Sequence, residues 1–200
     1  MSTPLSLVVD SREQQPYGFE RFPVKIVRAG LTTGDYSLAA HESRAAVERK
    51  ALDDLIGCLT VGRDRFEREL DRARFLECFA VVVEASMEDV ARHRYTSRMS
   101  PHAALQSILA FQVRYGCPFV FAGSRQGGEY VTFWMLQKYA REVEARRAET
   151  QAVTELEEMG KRKAAGKGTR TQLQPCPGTR QVHTRRAGSH VDSTRYAFVG

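Results

Sequence analysis

Short β-branched apolar runs that alternate with amphipathic stretches constrain the fold of this chain more than any other sequence feature. The clearest run, CFAVVVEAS at 78–86, is typical of a strand buried in the middle of a sheet. A similar run, LSLVVD at 5–10, ends in a charge. Between the two, ALDDLIGCL at 51–59 places its leucine and isoleucine residues at helical spacing. Strands with a helix between them predict layers of helices packed on a sheet.

The same patterns extend over the first 147 residues. One helix begins where Ser100 and Pro101 supply an N-cap and a first helical residue, and it ends at Gly116 because Pro118 cannot continue it. Further strands are predicted at 24–31, 45–50 and 118–123, and further helices at 64–77 and 129–147. This order predicts an α/β fold, with a central mixed β-sheet flanked by helices.

The composition changes near residue 148, where the apolar stripe of the last helix fades. Residues 148–200 become rich in Gly, Thr, Pro and basic side chains, which predicts a disordered basic tail after a folded domain at 1–147. From Gly160 onward the chain has nine basic residues and one acidic residue, a net charge of +8, while the whole chain carries +6. Residues 1–159 therefore carry −2, so the basic pI describes the tail. Such a tail can bind phosphates without sequence preference or can serve only to increase solubility.

The bulk properties predict a soluble protein of one domain. No apolar run approaches the roughly 18–20 residues that span a bilayer, and the N-terminus lacks the pattern of a signal peptide. The four cysteines have neither C-x-x-C nor zinc-finger spacing, which argues against a structural zinc site and fits a reducing compartment. We therefore expect a cytoplasmic protein without membrane contact, associated with the nucleoid in a bacterium or phage and nuclear in a eukaryote.

Charged residues accompany two of the predicted strands, where a buried charge needs a partner or an ion. Asp35 and Glu48 lie 13 residues apart on segments that both resemble strands, so they can meet at one end of the sheet if the strands pair. Glu48 and Lys50 are two residues apart and therefore share a face. Two carboxylates suit Mg²⁺ or Mn²⁺, and an adjacent lysine can stabilise charge on a phosphate. An exposed salt-bridge patch on an edge hairpin is the alternative.

The residues around this cluster resemble the XPF family of structure-specific endonucleases, which belongs to the PD-(D/E)xK nuclease superfamily. GDYSL followed by VERKALDD resembles the family signature G-D … E-R-K-x-x-x-D. LVVDSRE resembles the V-D-x-R-E motif that begins the family's nuclease domain, and IGCLTVGR resembles I-G-S-L-x-x-G-R. The matching charged residues are Asp10, Arg12, Glu13, Asp35, Glu48, Arg49, Lys50, Asp54 and Arg63. The resemblance covers roughly residues 5–147 and implies a restriction-endonuclease-like nuclease core.

The resemblance also implies catalytic roles. Asp35 and Glu48 would be metal ligands, helped by the backbone carbonyl of Arg49, and the cofactor would be Mg²⁺ or Mn²⁺. Lys50 would be the catalytic lysine. Asp10 would lie near the metal and could hold a second ion through water.

Four further residues would bind DNA or support the site. Arg12 and Arg63, together with Arg49, would contact phosphate or brace the carboxylates, and Glu13 would support them. Asp54 would pair with one of these arginines, although an acidic residue at a helix start also interacts favourably with the helix dipole.

By this resemblance the protein is a metal-dependent DNA endonuclease that cuts near junctions of single- and double-stranded DNA in repair or recombination. The family's helicase motifs and tandem helix-hairpin-helix domain are not found in the sequence, and QQPYGFERFPV at 14–24 is too short and proline-rich for the family's first helix. Two alternatives stay open: a non-catalytic scaffold subunit, or a phage or mobile-element nuclease with another DNA geometry. Expected partners are branched or flap DNA, and a second copy or an XPF-like chain.

Overall fold

A computed structural model describes residues 5–166 and contains one six-stranded mixed sheet. The strands are β1 (Leu5–Asp10), β2 (Val24–Ala29), β3 (Tyr36–Leu38), β4 (Ala45–Lys50), β5 (Cys78–Val83) and β6 (Phe119–Phe121). The helices are α1 (Leu52–Leu59), α2 (Arg63–Ala73), α3 (Met87–Ala91), α4 (Pro101–Tyr115) and α5 (Arg125–Gly166). This architecture confirms the predicted α/β fold with a mixed central sheet.

The strand order is β2-β1-β3-β4-β5-β6. β1 pairs with β2 in parallel and with β3 antiparallel, β3 pairs with β4 antiparallel, and β4, β5 and β6 continue in parallel. Strand β4, which carries the charged ERK triplet, therefore lies inside the sheet rather than at an edge. The alternative of an exposed edge hairpin is excluded by this position.

Two hydrophobic cores cover the two faces of the sheet. One core joins the sheet to α1, α2 and α4 through side chains such as Leu55, Phe66 and Phe111. The other joins it to α5 and to the segment after β1 through side chains such as Tyr36 and Phe133. Successive residues of β4 point to opposite cores, so each functional side chain on that strand is assigned to one face.

Local signals set the limits of the helices as expected. The Ser100 side chain accepts a hydrogen bond from the amide of Ala103, and Pro101 occupies the first position of α4. Gly116 ends this helix in the left-handed conformation, with φ of 65°. Ser86 and Asp89 form a capping box at the start of α3.

The last helix extends further than predicted. α5 continues to Gly166, so residues 148–166 are helical, whereas the sequence predicts disorder from 148. Side chains 144–163 are exposed, which agrees with the fading apolar stripe. The helix persists because this stretch is rich in Ala and Glu, which favour helices, and contains the i,i+4 ion pair Arg162–Glu158. The rest of the predicted tail, 167–200, lies outside the described residues.

The chain divides into two units, Met1–Thr154 and Glu155–Gly200. The sheet and both cores belong to the first unit, and the described part of the second consists of the last turns of α5. No helix within residues 5–166 is both long and apolar enough to cross a bilayer.

Candidate active site

Strand β4 divides its three charged residues between the two faces of the sheet. Ala46, two residues before Glu48, belongs to the core beneath α1 and α2, and Glu48 and Lys50 follow on the same face. The Lys50 ammonium donates a hydrogen bond to Glu48 Oε1. Arg49 points to the opposite face, as its position in the strand predicts. The strand therefore brings a carboxylate and an ammonium group together at the end of an interior strand.

Asp35 reaches the same end of the sheet from the turn before β3. Its amide donates to the carbonyl of Val47 at 2.9 Å, and its carbonyl accepts from the amide of Asp10 at 2.8 Å. The side chain is fixed as well, because Oδ2 accepts a 2.8 Å hydrogen bond from the amide of Arg49. The structure thus brings Asp35 to the ERK triplet, as the spacing predicts.

The backbone conformation at position 34 explains why a glycine precedes Asp35. Its φ is +79°, in the left-handed region, and a Cβ atom there would lie 2.9 Å from the Ala46 Cβ and 3.1 Å from the Val47 carbonyl oxygen. Only a residue without a side chain lets the backbone approach β4 closely enough for Asp35 to bond it.

Burial raises the pKa values of both the Asp35 and the Glu48 carboxyl groups. Burial raises the pKa of Asp35 to about 6, and the charges of Glu13 and Glu69 add to this effect against the Arg49 amide and Lys50. Burial also raises the pKa of Glu48 well above its ordinary value, with further contributions from Asp35 and Glu69 and opposition from Lys50. Such a pair favours a bound proton or a bound cation.

Lys50 keeps its positive charge in this environment. Burial alone would lower the pKa of its ammonium, but Glu48, both by its charge and by its hydrogen bond, and Glu69 together raise that pKa above its ordinary value. The lysine is therefore a cation at neutral pH, with its side chain only 12% exposed.

Asp10 serves as a brace in the structure. Its Oδ1 accepts from the backbone amide and Nε of Arg12, and its Oδ2 accepts from Arg12 Nη2 and from the amide of Leu31. The Arg12 hydrogen bonds hold the pKa of the Asp10 carboxyl below its ordinary value. Both carboxylate oxygens of Asp10 are thus occupied by hydrogen bonds within the protein. The expected role of Asp10, to hold a second ion through water, stays a prediction, and it requires that some of these hydrogen bonds break.

On the opposite face, Arg49 forms a buried ion-pair network. Its guanidinium donates from Nε and Nη2 to the two oxygens of Glu84, each at 2.8 Å, and lies 3.7 Å from Glu13. Arg125 from the start of α5 also reaches Glu84, at 3.2 Å. Arg49 and Glu13 therefore support the end of β4 from the face opposite Glu48, whereas the expected contact of the Arg49 side chain with phosphate or with the site carboxylates stays a prediction.

A cleft of about 1060 Å³ opens over the carboxylates. Its floor contains Asp35, Glu48 and Lys50, and its walls come from the 10–15 and 32–34 segments and from α1 and α2. The charged wall residues from the two helices are Asp53, Asp54, Arg65, Arg68, Glu69 and Arg72.

Two predicted residues do not take the expected places. Arg63 does not line the cleft, because its guanidinium lies 4.5 Å from the centre of the Phe111 ring and pairs with Glu67 at 2.9 Å. Asp54 lies exposed at the cleft and forms no ion pair with any residue in the described part of the chain. Its neighbour Asp53 has the more specific contact, since it accepts from both the amide and the hydroxyl of Thr96.

Several contributing residues were missed by sequence reasoning. Glu84 directly follows the buried strand β5. A single acidic residue at the end of such a strand indicates that a basic side chain pairs with it. Arg65, Arg68, Glu69 and Arg72 recur at i, i+3, i+4 and i+7, which places them on one face of α2. That spacing is evident from the sequence, but the sequence did not show that this face of α2 borders the cleft.

The donor set fits a hard divalent cation. Within residues 5–166 there is no group of three or more His, Cys, Asp and Glu side chains that could hold a metal ion. Asp35 and Glu48 supply two carboxylates, and Mg²⁺ is commonly bound by one or two carboxylates with water in the remaining positions. Sulfur- or imidazole-preferring metals have no such set here.

Comparison with known proteins agrees with this geometry. Residues 9–131 match the model of the ERCC4 domain family. XPF from Aeropyrum pernix is 22% identical, with a TM-score of 0.56, over 74% of this chain and 72% of that chain. A second structure, XPF from Aeropyrum pernix in complex with DNA, is 25% identical, with a TM-score of 0.54, over 69% of this chain and 66% of that chain. No curated protein matches the chain.

The family match contains every predicted site residue, from Asp10 to Arg63. It also spans well over half of the chain. The chain therefore belongs to the ERCC4 domain family, the DNA nuclease family that includes XPF.

Proposed function

We propose that this protein is an Mg²⁺- or Mn²⁺-dependent DNA endonuclease that hydrolyses phosphodiester bonds near junctions of single- and double-stranded DNA. The observation that supports this most is the meeting of Asp35, Glu48 and Lys50 at the floor of one cleft, with Asp35 fixed by the Arg49 amide. A non-catalytic relative would not need these buried charges, whose burial is costly.

Asp35 and Glu48 are the residues that would hold the metal ion. When bound, such an ion polarises a phosphoryl oxygen and acidifies a coordinated water. Asp35 has one oxygen committed to the Arg49 amide, so its other oxygen is the one available for a ligand. The raised pKa values of both carboxyls make cation binding compete with protons.

Lys50 would act on the reacting phosphate. Its ammonium lies beside Glu48 and is held there by the surrounding strand, so it can hold a water molecule in line or stabilise the charge that develops on the phosphate. Because the pKa of Lys50 is raised, the lysine donates hydrogen bonds as a cation and does not act as a base.

The remaining predicted residues position this set. Asp10 and Arg12 fix the segment that follows β1. Asp10, the last residue of β1, also donates a backbone hydrogen bond to the carbonyl of Asp35. Arg49 and Glu13 hold the end of β4 from the other face. We assign them positioning roles, and leave phosphate contact to Arg12, whose side chain is 74% exposed.

DNA as the substrate is supported by family membership and by the relative whose structure is described as a complex with DNA. A preference for branched or flap DNA, and a role in repair or recombination, are proposed from the XPF resemblance alone. The same resemblance leads us to propose that the chain works as a pair, either with a second copy or with an XPF-like chain.

One set of reactions tests the proposal. Purified full-length protein is incubated with end-labelled flap, fork, Holliday-junction and linear duplex DNA of equal length, each with Mg²⁺, Mn²⁺ or EDTA. We expect cuts near the junction of flap or fork DNA with either metal, and none with EDTA. Equal cutting in EDTA, or no cutting of any substrate with either metal, would contradict it. Light scattering of the same preparation measures whether the chain is paired.

A further inference from the structure

The cleft contains three positive charges that the carboxylate site does not use. Arg12, Arg49 and Lys50 each pair with a carboxylate within 4 Å. Arg65, Arg68 and Arg72 also line the cleft, and none of these three has a carboxylate that close among residues 5–166. All three are exposed.

These three side chains share one face of α2 with Glu69, and the three arginines, Arg65, Arg68 and Arg72, are called the α2 arginine face. Residues at i, i+3 and i+7 follow one side of a helix, and that side of α2 borders the cleft. Seven residues extend about 10 Å along a helix axis. Measured along the axis of a B-form duplex, that length is the rise of roughly three nucleotides at about 3.4 Å each.

We propose that the α2 arginine face binds consecutive phosphates of the DNA strand that is cut, and so leads that strand into the carboxylate site. The inference rests on the proposed function, but it concerns binding and not cleavage. Unpaired guanidinium groups are strong partners for phosphate oxygens because their planar donors can bind two oxygens at once. Other helices of the described chain neutralise many of their exposed arginines, as in the pair Arg92–Glu88.

The same surface implies recognition of the backbone and not of bases. No aromatic side chain lines the cleft among the residues that the structure describes, so base stacking, the usual alternative in single-strand binding, has no platform there. Phosphate contacts fix register and orientation without sequence information. We therefore expect cutting that depends on the position of the strand and not on its sequence.

Binding measured in EDTA tests the inference separately from cleavage. The variant R65A/R68A/R72A is compared with R74A/R92A/R114A, which removes the same charge from exposed, ion-paired arginines outside the cleft. Fluorescence anisotropy with a labelled flap oligonucleotide gives the dissociation constant at several salt concentrations. Both variants keep the full tail, so its contribution to binding is common to them.

The α2 variant is expected to bind DNA at least about tenfold more weakly and to lose about 2 units of the salt-dependence slope, since each phosphate contact contributes about 0.7 to 0.9. The control variant should change affinity by less than about threefold. Equal losses in the two variants, or no loss in the α2 variant, would overturn the inference.

Two further readouts keep the result interpretable. Mn²⁺ titration of the α2 variant should match that of the unchanged protein, because none of the three arginines contacts Asp35 or Glu48; weaker Mn²⁺ binding would instead make the face part of the metal site and overturn the assignment. If circular dichroism shows that the α2 variant is misfolded, the single variant R68A replaces it, with R92A as the control. A protein that binds DNA through this face but never cuts it would contradict the proposed function and leave this inference intact.

Discussion

The Asp35 carboxylate accepts a hydrogen bond from the backbone amide of Arg49, the residue between Glu48 and Lys50. One 2.8 Å contact therefore joins the turn before β3 to the strand that carries the other acid and the lysine. Because the donor is a backbone group in the sheet, the position of Asp35 is set by the fold and not by a mobile side chain.

Gly34→Ala tests how closely the turn must approach β4. The added Cβ would lie 2.9 Å from the Ala46 Cβ in a left-handed backbone, so we expect the free energy of unfolding to fall by about 2–4 kcal/mol. Gly57→Ala in α1 is the control, because a Cβ there meets nothing within 4 Å and alanine favours helix. Urea unfolding that gives both variants the same stability would contradict this explanation.

Arg49→Ala tests the network behind the site. Removing the guanidinium leaves Glu84 and Glu13 without a buried cation, and we expect a loss of about 3–5 kcal/mol in unfolding free energy. Arg44→Ala is a matched control, since Arg44 binds both oxygens of Glu77 but both side chains are about 40% exposed; it should lower the free energy of unfolding far less than Arg49→Ala does. Thermal and urea unfolding measure both, and similar losses would show that burial does not set the strength of the pair.

Lys50→Ala separates metal binding from chemistry. Loss of the ammonium should reduce the single-turnover cleavage rate by about 10²–10³-fold, because a donor to the reacting phosphate is lost. Mn²⁺ affinity, measured by calorimetry, should stay equal or increase, since Glu48 no longer pairs with Lys50. A cleavage rate near that of the unchanged protein would remove Lys50 from the mechanism.

Stability without metal should depend on pH through Asp35. Burial raises the pKa of Asp35 from 3.8 to about 6, so between these values the folded state binds more protons than the unfolded state. The contribution of this group is therefore lost as pH rises from about 4 to 7, by about 1–3 kcal/mol.

Urea unfolding in EDTA at pH 4, 5, 6 and 7 measures this, with Asp35→Asn as the reference that has no charge to titrate. The stability of the unchanged protein should fall relative to the variant across this range, and Mn²⁺ at pH 7 should stabilise only the unchanged protein. A difference that is constant or grows with pH contradicts the assigned direction of the pKa shift.

The elements of this fold were predictable where local patterns carry the information. The apolar run of β5, the capping residues of α4 and the period of α1 each lie within a few neighbouring residues. Strand alternation placed Glu48 and Lys50 on one face and Arg49 on the other. The length of α5 was not predicted, because a helix without a buried side leaves no apolar stripe to follow.

The candidate site was predictable only in part because tertiary contacts decide the rest. The meeting of Asp35 with β4 followed from strand pairing, which the spacing indicated. The position of the Arg63 side chain depends on Phe111, 48 residues away, which holds its guanidinium against α4. The pairing of Arg49 with Glu84 likewise depends on the register of β4 against β5.

The metal site is tested by single-turnover cleavage of a flap substrate in Mn²⁺ by Asp35→Asn, by Glu48→Gln and by the unchanged protein. Both substitutions keep the side-chain size and remove one charge from the proposed metal ligands. The proposed metal site predicts metal-dependent cutting by the unchanged protein and at least about a thousandfold slower cutting by each variant, with DNA affinity in EDTA changed by less than about threefold. Cutting by either variant at the rate of the unchanged protein would contradict it.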